Sequence, residues 1–356
     1  MKKSVFYFPI WGDSYINLFS KFALKCLLEN LNQLNNNILK TSKIEIWTFK
    51  KDIKKIQSLE LIKQLRKKIL INIESIDLIY NSINTKKLNK YQLLSVLQKI
   101  FINSHSHKYD FFWFIYPDFI FSKNLIKNFS KLKQNYDAYF LPVPQLIEEN
   151  INKIFEKNKS INLSSNLTKL IFEHLHPIVK ICNVKKSKTN TPSIFIASNK
   201  DCIAYKSFHI HPIIVRSDIS NLDMNSKFYS SLDEGFLESL FDKKLFIVKN
   251  NFFAACSSLL SENEYELPNE KFDINKTVDW CNNHVNKTHI EISKNNYFIK
   301  KNNKVNNCKL LEKKIDKRVN VILKKLSNKK KNDLFIYPSP KVEIIDKNNV
   351  LYSIIR

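Results

Sequence analysis

The most apolar stretch of the chain reads Phe111-Phe112-Trp113-Phe114-Ile115-Tyr116-Pro117-Asp118-Phe119-Ile120-Phe121-Ser122. Its first six residues are large and apolar, which predicts a central, buried strand. Asp118 follows this strand, at the place where open α/β sheets bind ligands. Apolar residues come directly after it, and among them an unpaired carboxylate is costly. We interpret Asp118 as a functional carboxylate; the alternative is a structural Asp that caps a helix beginning near Ser122.

Predicted strands alternate with predicted helices on both sides of this stretch. Apolar or alternating segments at residues 4–10, 43–49, 69–73 and 138–143 have the lengths and patterns of strands. Between them, apolar residues recur at helical spacing. The alternation predicts a three-layer α/β domain, with a largely parallel sheet flanked by helices.

The composition changes along the chain and suggests its division into domains. We predict a catalytic-type domain at residues 1–260, with a helical insertion at residues 145–190 that folds over a site. Residues 261–356 are more polar and rich in Asn and Lys, which predicts a basic C-terminal extension.

The chain contains two glycines, Gly12 and Gly235, where average usage of about 7% predicts roughly two dozen. This scarcity excludes P-loops and the glycine-rich turns that bind dinucleotides or methyl donors, because those loops need several glycines. Gly12 lies in the turn Trp11-Gly12-Asp13-Ser14-Tyr15, directly after the first strand. Backbone amides of this turn, with Asp13 and Tyr15, are candidates for receiving a nucleotide. The alternative is an ordinary strand-to-helix turn.

Asp233 and Glu234 precede the second glycine and an apolar helical pattern. A carboxylate at the mouth of a site is suited to act as general base toward a hydroxyl. The alternative is favourable charge at the positive end of a helix. Both interpretations of the two acids stay open at this point.

A third constellation combines His209, His211 and Arg216. The two histidines are predicted to share one face of a strand, and they either bind a metal or form a hydrogen-bonded structural pair, since no third ligand is evident. Arg216 follows an apolar run and either clamps a phosphate or lies on the surface.

Lys and Arg outnumber Asp and Glu by 58 to 33, a formal net charge of +25. Such a charge attracts nucleotides, nucleic acid or an anionic membrane face. No aromatic-plus-basic module or helix-turn-helix pattern accompanies it, which argues against nucleic acid. Six dispersed cysteines predict free thiols in a reducing compartment, and no stretch has the roughly 20 apolar residues of a membrane helix, so we expect a cytoplasmic protein.

In chain order, these features resemble the GT-A class of glycosyltransferases, the nucleotide-diphospho-sugar transferase fold. The resemblance covers residues 4–260 and is greatest to the bacterial enzymes of surface-polysaccharide assembly. Three features support it: the strand-turn-helix at residues 5–34, the strand that ends in Asp118, and the acidic helix start at Asp233 and Glu234.

The resemblance implies a nucleotide-diphospho-sugar donor, with Mn or Mg held on the diphosphate by a D-x-D motif. Here that position reads Pro117-Asp118-Phe119-Ile120, with one acid where two are usual. Arg216 or a nearby lysine is the alternative for neutralising the diphosphate. Asp118 would hold the metal or the sugar, and Asp233 or Glu234 would be the base. The full set implied for donor and cofactor binding is Trp11, Gly12, Asp13, Tyr15, Asp118, His211 and Arg216.

The predicted function is transfer of a sugar from such a donor to a hydroxyl of a glycan or lipid-linked acceptor, with peripheral contact to the anionic inner membrane face. A competing class is a non-catalytic basic protein that binds nucleic acid or an anionic membrane surface. A nucleotidyltransferase acting on a sugar phosphate is disfavoured, because the glycine-rich first loop of those enzymes is missing.

Overall fold

A computed structural model describes residues 3–82, 90–105, 108–132, 136–159, 161–218, 240, 243–305, 308–328, 342–346 and 349–354. These residues contain a seven-stranded central sheet. Its strands, in spatial order, are β11 (Leu245–Ile247), β6 (Ala138–Phe140), β10 (Pro212–Arg216), β4 (Phe111–Phe114), β1 (Ser4–Pro9), β2 (Lys43–Thr48) and β3 (Leu70–Ser75).

Most neighbouring strands of this sheet run parallel. β1 is parallel to β2 and β4, β2 is parallel to β3, and β6 is parallel to β11. Only β10 among the described strands of the sheet runs against its neighbours, β4 and β6. The predicted α/β class with a mainly parallel sheet is therefore confirmed, and the reversed β10 is a feature that the sequence pattern did not predict.

Hydrophobic cores cover both faces of the sheet. Phe6 and Phe8 of β1 point into one core, and Val5 and Tyr7 point into the other, because side chains alternate along a strand. Helices pack on each core and complete the three layers.

The helices of the described residues are α1 (Asp13–Leu18), α2 (Leu24–Leu31), α3 (Asn36–Lys40), α4 (Lys50–Ser58), α5 (Glu60–Arg66), α6 (Asp77–Ser82), α7 (Lys90–His105), α8 (Leu125–Ser130), α9 (Glu148–Lys157), α10 (Leu163–His174), α11 (Pro177–Lys180), α12 (Ile274–His284), α13 (Lys287–Ser293) and α14 (Cys308–Asn328). A π-helical segment, Phe19–Ala23, joins α1 to α2. No described helix combines the length and apolarity that a membrane span requires.

Three smaller sheets surround the central one. The first places β12 (Cys256–Leu260) between β5 (Phe119–Phe121) and β7 (Gln145–Ile147). The second places β9 (Cys202–Ser207) between β8 (Ile194–Ser198) and β13 (Tyr297–Lys300), and the third pairs β14 (Val342–Asp346) with β15 (Asn349–Ile354). The predicted insertion at residues 145–190 contains three helices, α9 to α11, and begins with the short strand β7.

The residues after position 260 pack closely against earlier ones. β13 pairs with β9, and Ile315 and Val319 of α14 share a hydrophobic core with Phe195 and Ala204. The predicted extension is therefore interleaved with the second small sheet, while the boundary near residue 260 stays a prediction.

One prediction about the cysteines is wrong. A disulfide joins Cys202 at the start of β9 to Cys308 at the start of α14, with the two Cα atoms 6.2 Å apart. The sequence predicted free thiols because the spacing of cysteines along the chain cannot show that two of them, 106 positions apart, meet in the fold. The four other cysteines are buried free thiols: Cys26, Cys182, Cys256 and Cys281.

Candidate functional site

The carboxyl edge of the central sheet brings together residues from separate parts of the chain. β1, β2 and β4 run parallel, so their carboxyl ends meet at one edge. Gly12 follows β1 and Asp118 follows β4. His211 precedes the reversed strand β10 and therefore reaches the same edge. We call this group, together with the neighbours described below, the carboxyl-edge site.

Gly12 shapes the turn after β1. Its φ of 79° and ψ of 151° lie in a region that is essentially limited to glycine. A Cβ added here would meet no atom within 4 Å, so the backbone angles and not crowding require glycine. The Gly12 amide donates a hydrogen bond of 3.0 Å to Oδ2 of Asp52, a buried residue of α4.

The other predicted residues of this turn lie at the surface or beside it. Trp11 packs edge-on against Phe49, with ring centroids 6.2 Å apart. Asp13 is exposed, and Lys55 Nζ lies 2.6 Å from its Oδ1. This hydrogen bond and the charge of Lys55 lower the pKa of Asp13.

Asp118 is half-buried between β4 and β5. Its carbonyl accepts a hydrogen bond of 3.1 Å from the Leu259 amide of β12, which holds its backbone in place. Burial raises the pKa of its carboxyl to about 7; Glu148 and Glu264 also raise it, while its own backbone amide and Lys90 act in the opposite direction. The helix that Asp118 would have capped, α8, begins only at Leu125. A group that titrates near neutral pH is suited to proton transfer or to binding a hydroxyl.

Four further residues around Asp118 were missed by sequence reasoning: Tyr116, Lys90, Glu148 and Glu264. Glu148 directly follows β7, the same pattern of an acid after a strand that identified Asp118. That signal was present in the sequence, but residues 145–147 were assigned to the helical insertion. Lys90 and Glu264 carry no signal of their own, because long-range packing brings them here.

Lys90 links the turn after β1 to these acids. Its Nζ lies 3.5 Å from Oε1 of Glu264, and its charge opposes the rise in the pKa of Tyr15. Tyr15 also interacts electrostatically with Asp118 and Glu264, although burial is the main reason that its pKa is raised. The turn, the lysine and the acids therefore form one connected group.

Tyr116 connects His211 to the same group. The Tyr116 hydroxyl lies 2.5 Å from Nε2 of His211 and accepts a hydrogen bond of 2.6 Å from Nε2 of Gln98 in α7. The Tyr116 ring packs edge-on against Phe119, the residue after Asp118, with centroids 5.2 Å apart. This network fixes the chain on both sides of Asp118.

His209 and His211 do not form a pair. Both precede β10, which begins at Pro212, and their rings have different neighbours. His209 stacks on His289, with centroids 4.5 Å apart, whereas His211 packs against Tyr116 at 4.8 Å. The prediction that the two histidines share one strand face is therefore wrong.

Arg216 lies at the opposite edge of the central sheet. Arg216 is the last residue of β10. Because β10 is reversed, Arg216 lies opposite Phe111, the first residue of β4. Arg216 forms ion pairs with Asp137, at 3.3 Å, and with Asp218. The structure does not bring it to the carboxyl-edge site. Asp233 and Glu234 lie outside the described residues.

The described residues do not fit a D-x-D metal centre. Ile120 occupies the position of the second acid, and its side chain is fully buried in the hydrophobic core. Within the described part of the chain, no three His, Cys, Asp or Glu side chains are grouped so as to hold a metal ion. Asp118 therefore stands without the second acid of that motif, and we derive no step through a metal.

Comparison with known proteins gives distant structural likenesses. No family model and no curated protein matches the sequence. The chain is similar to the solved structure of mouse xyloside xylosyltransferase 1 in its apo form, at a TM-score of 0.29 and 7% identity over 44% of this chain and 59% of that chain. It is similar to GalNAc-T7 with UDP, GalNAc and Mn2+, at a TM-score of 0.38 and 10% identity over 79% of this chain and 48% of that one.

A third similar structure is the inositol-1-phosphate CTP transferase from T. maritima, at a TM-score of 0.34 and 7% identity over 74% of this chain and 91% of that chain. The match spans less than two thirds of the two glycosyltransferase chains. At scores of this size we transfer neither a substrate nor a residue role from any of the three.

Proposed function

We propose that the protein is a glycosyltransferase that moves a sugar from a nucleotide-diphospho-sugar donor to a hydroxyl of a glycan or lipid-linked acceptor. The observation that carries this proposal is the meeting of the Gly12 turn and Asp118 at the carboxyl edge of a mainly parallel sheet. Open α/β sheets bind ligands at this edge. The resemblance of the sequence pattern to GT-A enzymes supports the same assignment.

In this proposal the donor lies along the turn after β1. Trp11 and Tyr15 offer aromatic surface to the nucleotide, since ligand pockets are rich in aromatic side chains with a few polar groups. Asp118 then contacts the sugar hydroxyls, and Tyr116 with His211 holds the chain around it. Asp13 lies at the outer end of the turn, where it pairs with Lys55.

The reaction is a substitution at the anomeric carbon of the sugar. The acceptor oxygen forms the new bond, the bond from the anomeric carbon to the diphosphate breaks, and the diphosphate leaves with the electron pair. The acceptor proton passes to a carboxylate, for which Asp233 or Glu234 remains the proposed base. A cation near the leaving diphosphate stabilises the charge that develops there.

We further propose that the reaction belongs to assembly of a bacterial surface polysaccharide, at an anionic membrane face. The net charge of +25 favours peripheral contact with an anionic membrane face, where a lipid-linked acceptor would be found. Vesicle binding that depends on anionic lipid would support this location.

Thermal-shift measurements with a panel of nucleotide sugars test the proposed function. We expect one donor to raise the melting temperature, because a ligand that binds only the folded state stabilises it. Asp118→Ala and Glu234→Ala are expected to abolish transfer while leaving the fold intact. A shift with polynucleotides and none with any nucleotide sugar would instead favour a non-catalytic basic protein.

A further inference from the structure

A leaving diphosphate needs a positive partner. The sequence suggested two, Arg216 and a divalent metal held by a D-x-D motif, and the described residues place neither at the carboxyl-edge site. Arg216 is ion-paired at the opposite edge of the sheet. Ile120 replaces the second acid of a D-x-D motif and is buried in the core. We infer that Lys90 binds the diphosphate of the donor, so that the site binds nucleoside diphosphates without a divalent metal. This inference rests on the proposed function.

The position of Lys90 supports this role. It belongs to α7, and its side chain is 47% exposed, so a ligand can approach it. The charge of Lys90 acts on both Tyr15 of the turn and Asp118. A donor with its nucleotide at the turn and its sugar at Asp118 places the diphosphate between them, beside this lysine.

Other lysines near the edge are less suited. Lys55 pairs with Asp13, at the outer side of the turn. Lys21 hydrogen-bonds Asn152 at 3.3 Å, and its charge opposes the rise in the pKa of Glu148.

Glu264 holds Lys90 in the ligand-free protein and would compete with the diphosphate. The pair is partly exposed, with Nζ and Oε1 3.5 Å apart, and exposed ion pairs of this kind are weak. A diphosphate carries more negative charge than one carboxylate and offers several acceptor oxygens. Exchange of Glu264 for the diphosphate is therefore favourable, and lysine is a common phosphate ligand.

Calorimetric titration of nucleoside diphosphates tests this inference. UDP, GDP, CDP and ADP are titrated into the full chain, once in EDTA and once in MnCl2. We expect the preferred nucleotide to bind with the same Kd in both buffers. Lys90→Ala should weaken binding by about 10- to 100-fold, the range expected for loss of a charge-assisted hydrogen bond, and Lys90→Arg should keep most of the affinity.

Two further variants sharpen the test. Lys294→Ala removes a similar exposed ion pair, to Glu291 at 2.5 Å, that has no part in the site, and it should bind like the unaltered protein. Glu264→Gln removes the competing charge and should tighten binding; weaker binding would contradict the exchange. Equal melting temperatures of the Lys90 and Lys294 variants would show that both fold.

The outcomes separate this inference from the proposed function. Failure of the unaltered protein to bind any of the four nucleotides, with or without Mn, overturns the proposed function itself. Binding that requires Mn, or a Lys90→Ala variant that binds like the unaltered protein, overturns the role of Lys90 and leaves the proposed function standing.

Discussion

Gly12 has a backbone conformation that other residues adopt only under strain. Because its φ is 79° and its ψ is 151°, Gly12→Ala should destabilise the protein by about 1–3 kcal/mol through backbone strain alone. Urea unfolding of this variant and of Ser14→Ala, an exposed neighbour without this constraint, measures the difference. Equal free energies of unfolding for the two variants would show that the turn does not need glycine.

Asp118 makes stability depend on pH. Its pKa of about 7 lies above the ordinary value of 3.8, so the folded state holds the proton more tightly than the unfolded state. The contribution of this group to stability is therefore full below about pH 4 and is lost as the pH rises toward 7. The Asp118→Asn variant has no carboxyl group at this position and does not lose this stability. We therefore expect its free energy of unfolding to rise relative to that of the unaltered protein as the pH rises.

Between pH 5 and pH 8, the free energy of unfolding of Asp118→Asn should rise by on the order of 1–2 kcal/mol relative to that of the unaltered protein, after allowance for the partial exposure of the carboxyl. Urea unfolding at the two pH values measures it. The opposite sign, in which Asp118→Asn loses stability relative to the unaltered protein as the pH rises, would mean that the carboxylate is stabilised in its ionised form.

The strand β5 explains why the D-x-D position has one acid. Ile120 lies in the middle of this strand, fully buried, with Ser257 of β12 as its partner. Ile120→Asp should therefore cost more than about 4 kcal/mol, because it buries an unpaired charge, whereas Ile120→Val should cost about 0.5–1.5 kcal/mol. Thermal melting with and without MnCl2 measures both. A well-folded Ile120→Asp protein that gains a Mn-dependent shift would contradict this account of the site.

Strands with long apolar runs were predictable, but the direction of a strand was not. The runs that contain β1 and β4 identified the centre of the sheet because a buried parallel strand is apolar on both faces. The reversal of β10 depends on how the chain returns from β9, which no local pattern records. This reversal brings His211 to the site and carries Arg216 away from it.

Very short strands explain why sequence reasoning missed other residues of the site. β5 and β7 have three residues each, too few for an apolar period to be recognised. Their pairing with β12 joins parts of the chain that are distant in sequence. Asp118 was found because it follows a run of six large apolar residues, whereas Glu148 was missed because no such run precedes it.

At the level of the whole molecule, the last quarter of the chain completes the second small sheet. A chain of residues 1–260 lacks β13, which pairs with β9, and α14, which covers the apolar face of β8 and β9. We expect this shortened chain to aggregate or to melt without cooperativity. A chain that ends at Asn328 keeps every residue of that core and should melt cooperatively. A monomeric, cooperative 1–260 fragment would show that the two parts are independent domains.

The central claim is that the carboxyl-edge site transfers sugar from a nucleotide donor through Asp118. The direct measurement is release of nucleoside diphosphate from a panel of nucleotide sugars at pH 8, by the unaltered protein and by Asp118→Asn, with candidate glycan and lipid-linked acceptors present. We predict that the unaltered protein releases nucleoside diphosphate from one donor and that an acceptor stimulates this release. For Asp118→Asn the rate of release should be at least about 100-fold lower, the loss expected for a group that acts in the transition state. Equal rates for the two proteins, or no release from any donor by a protein that is folded, would contradict the claim.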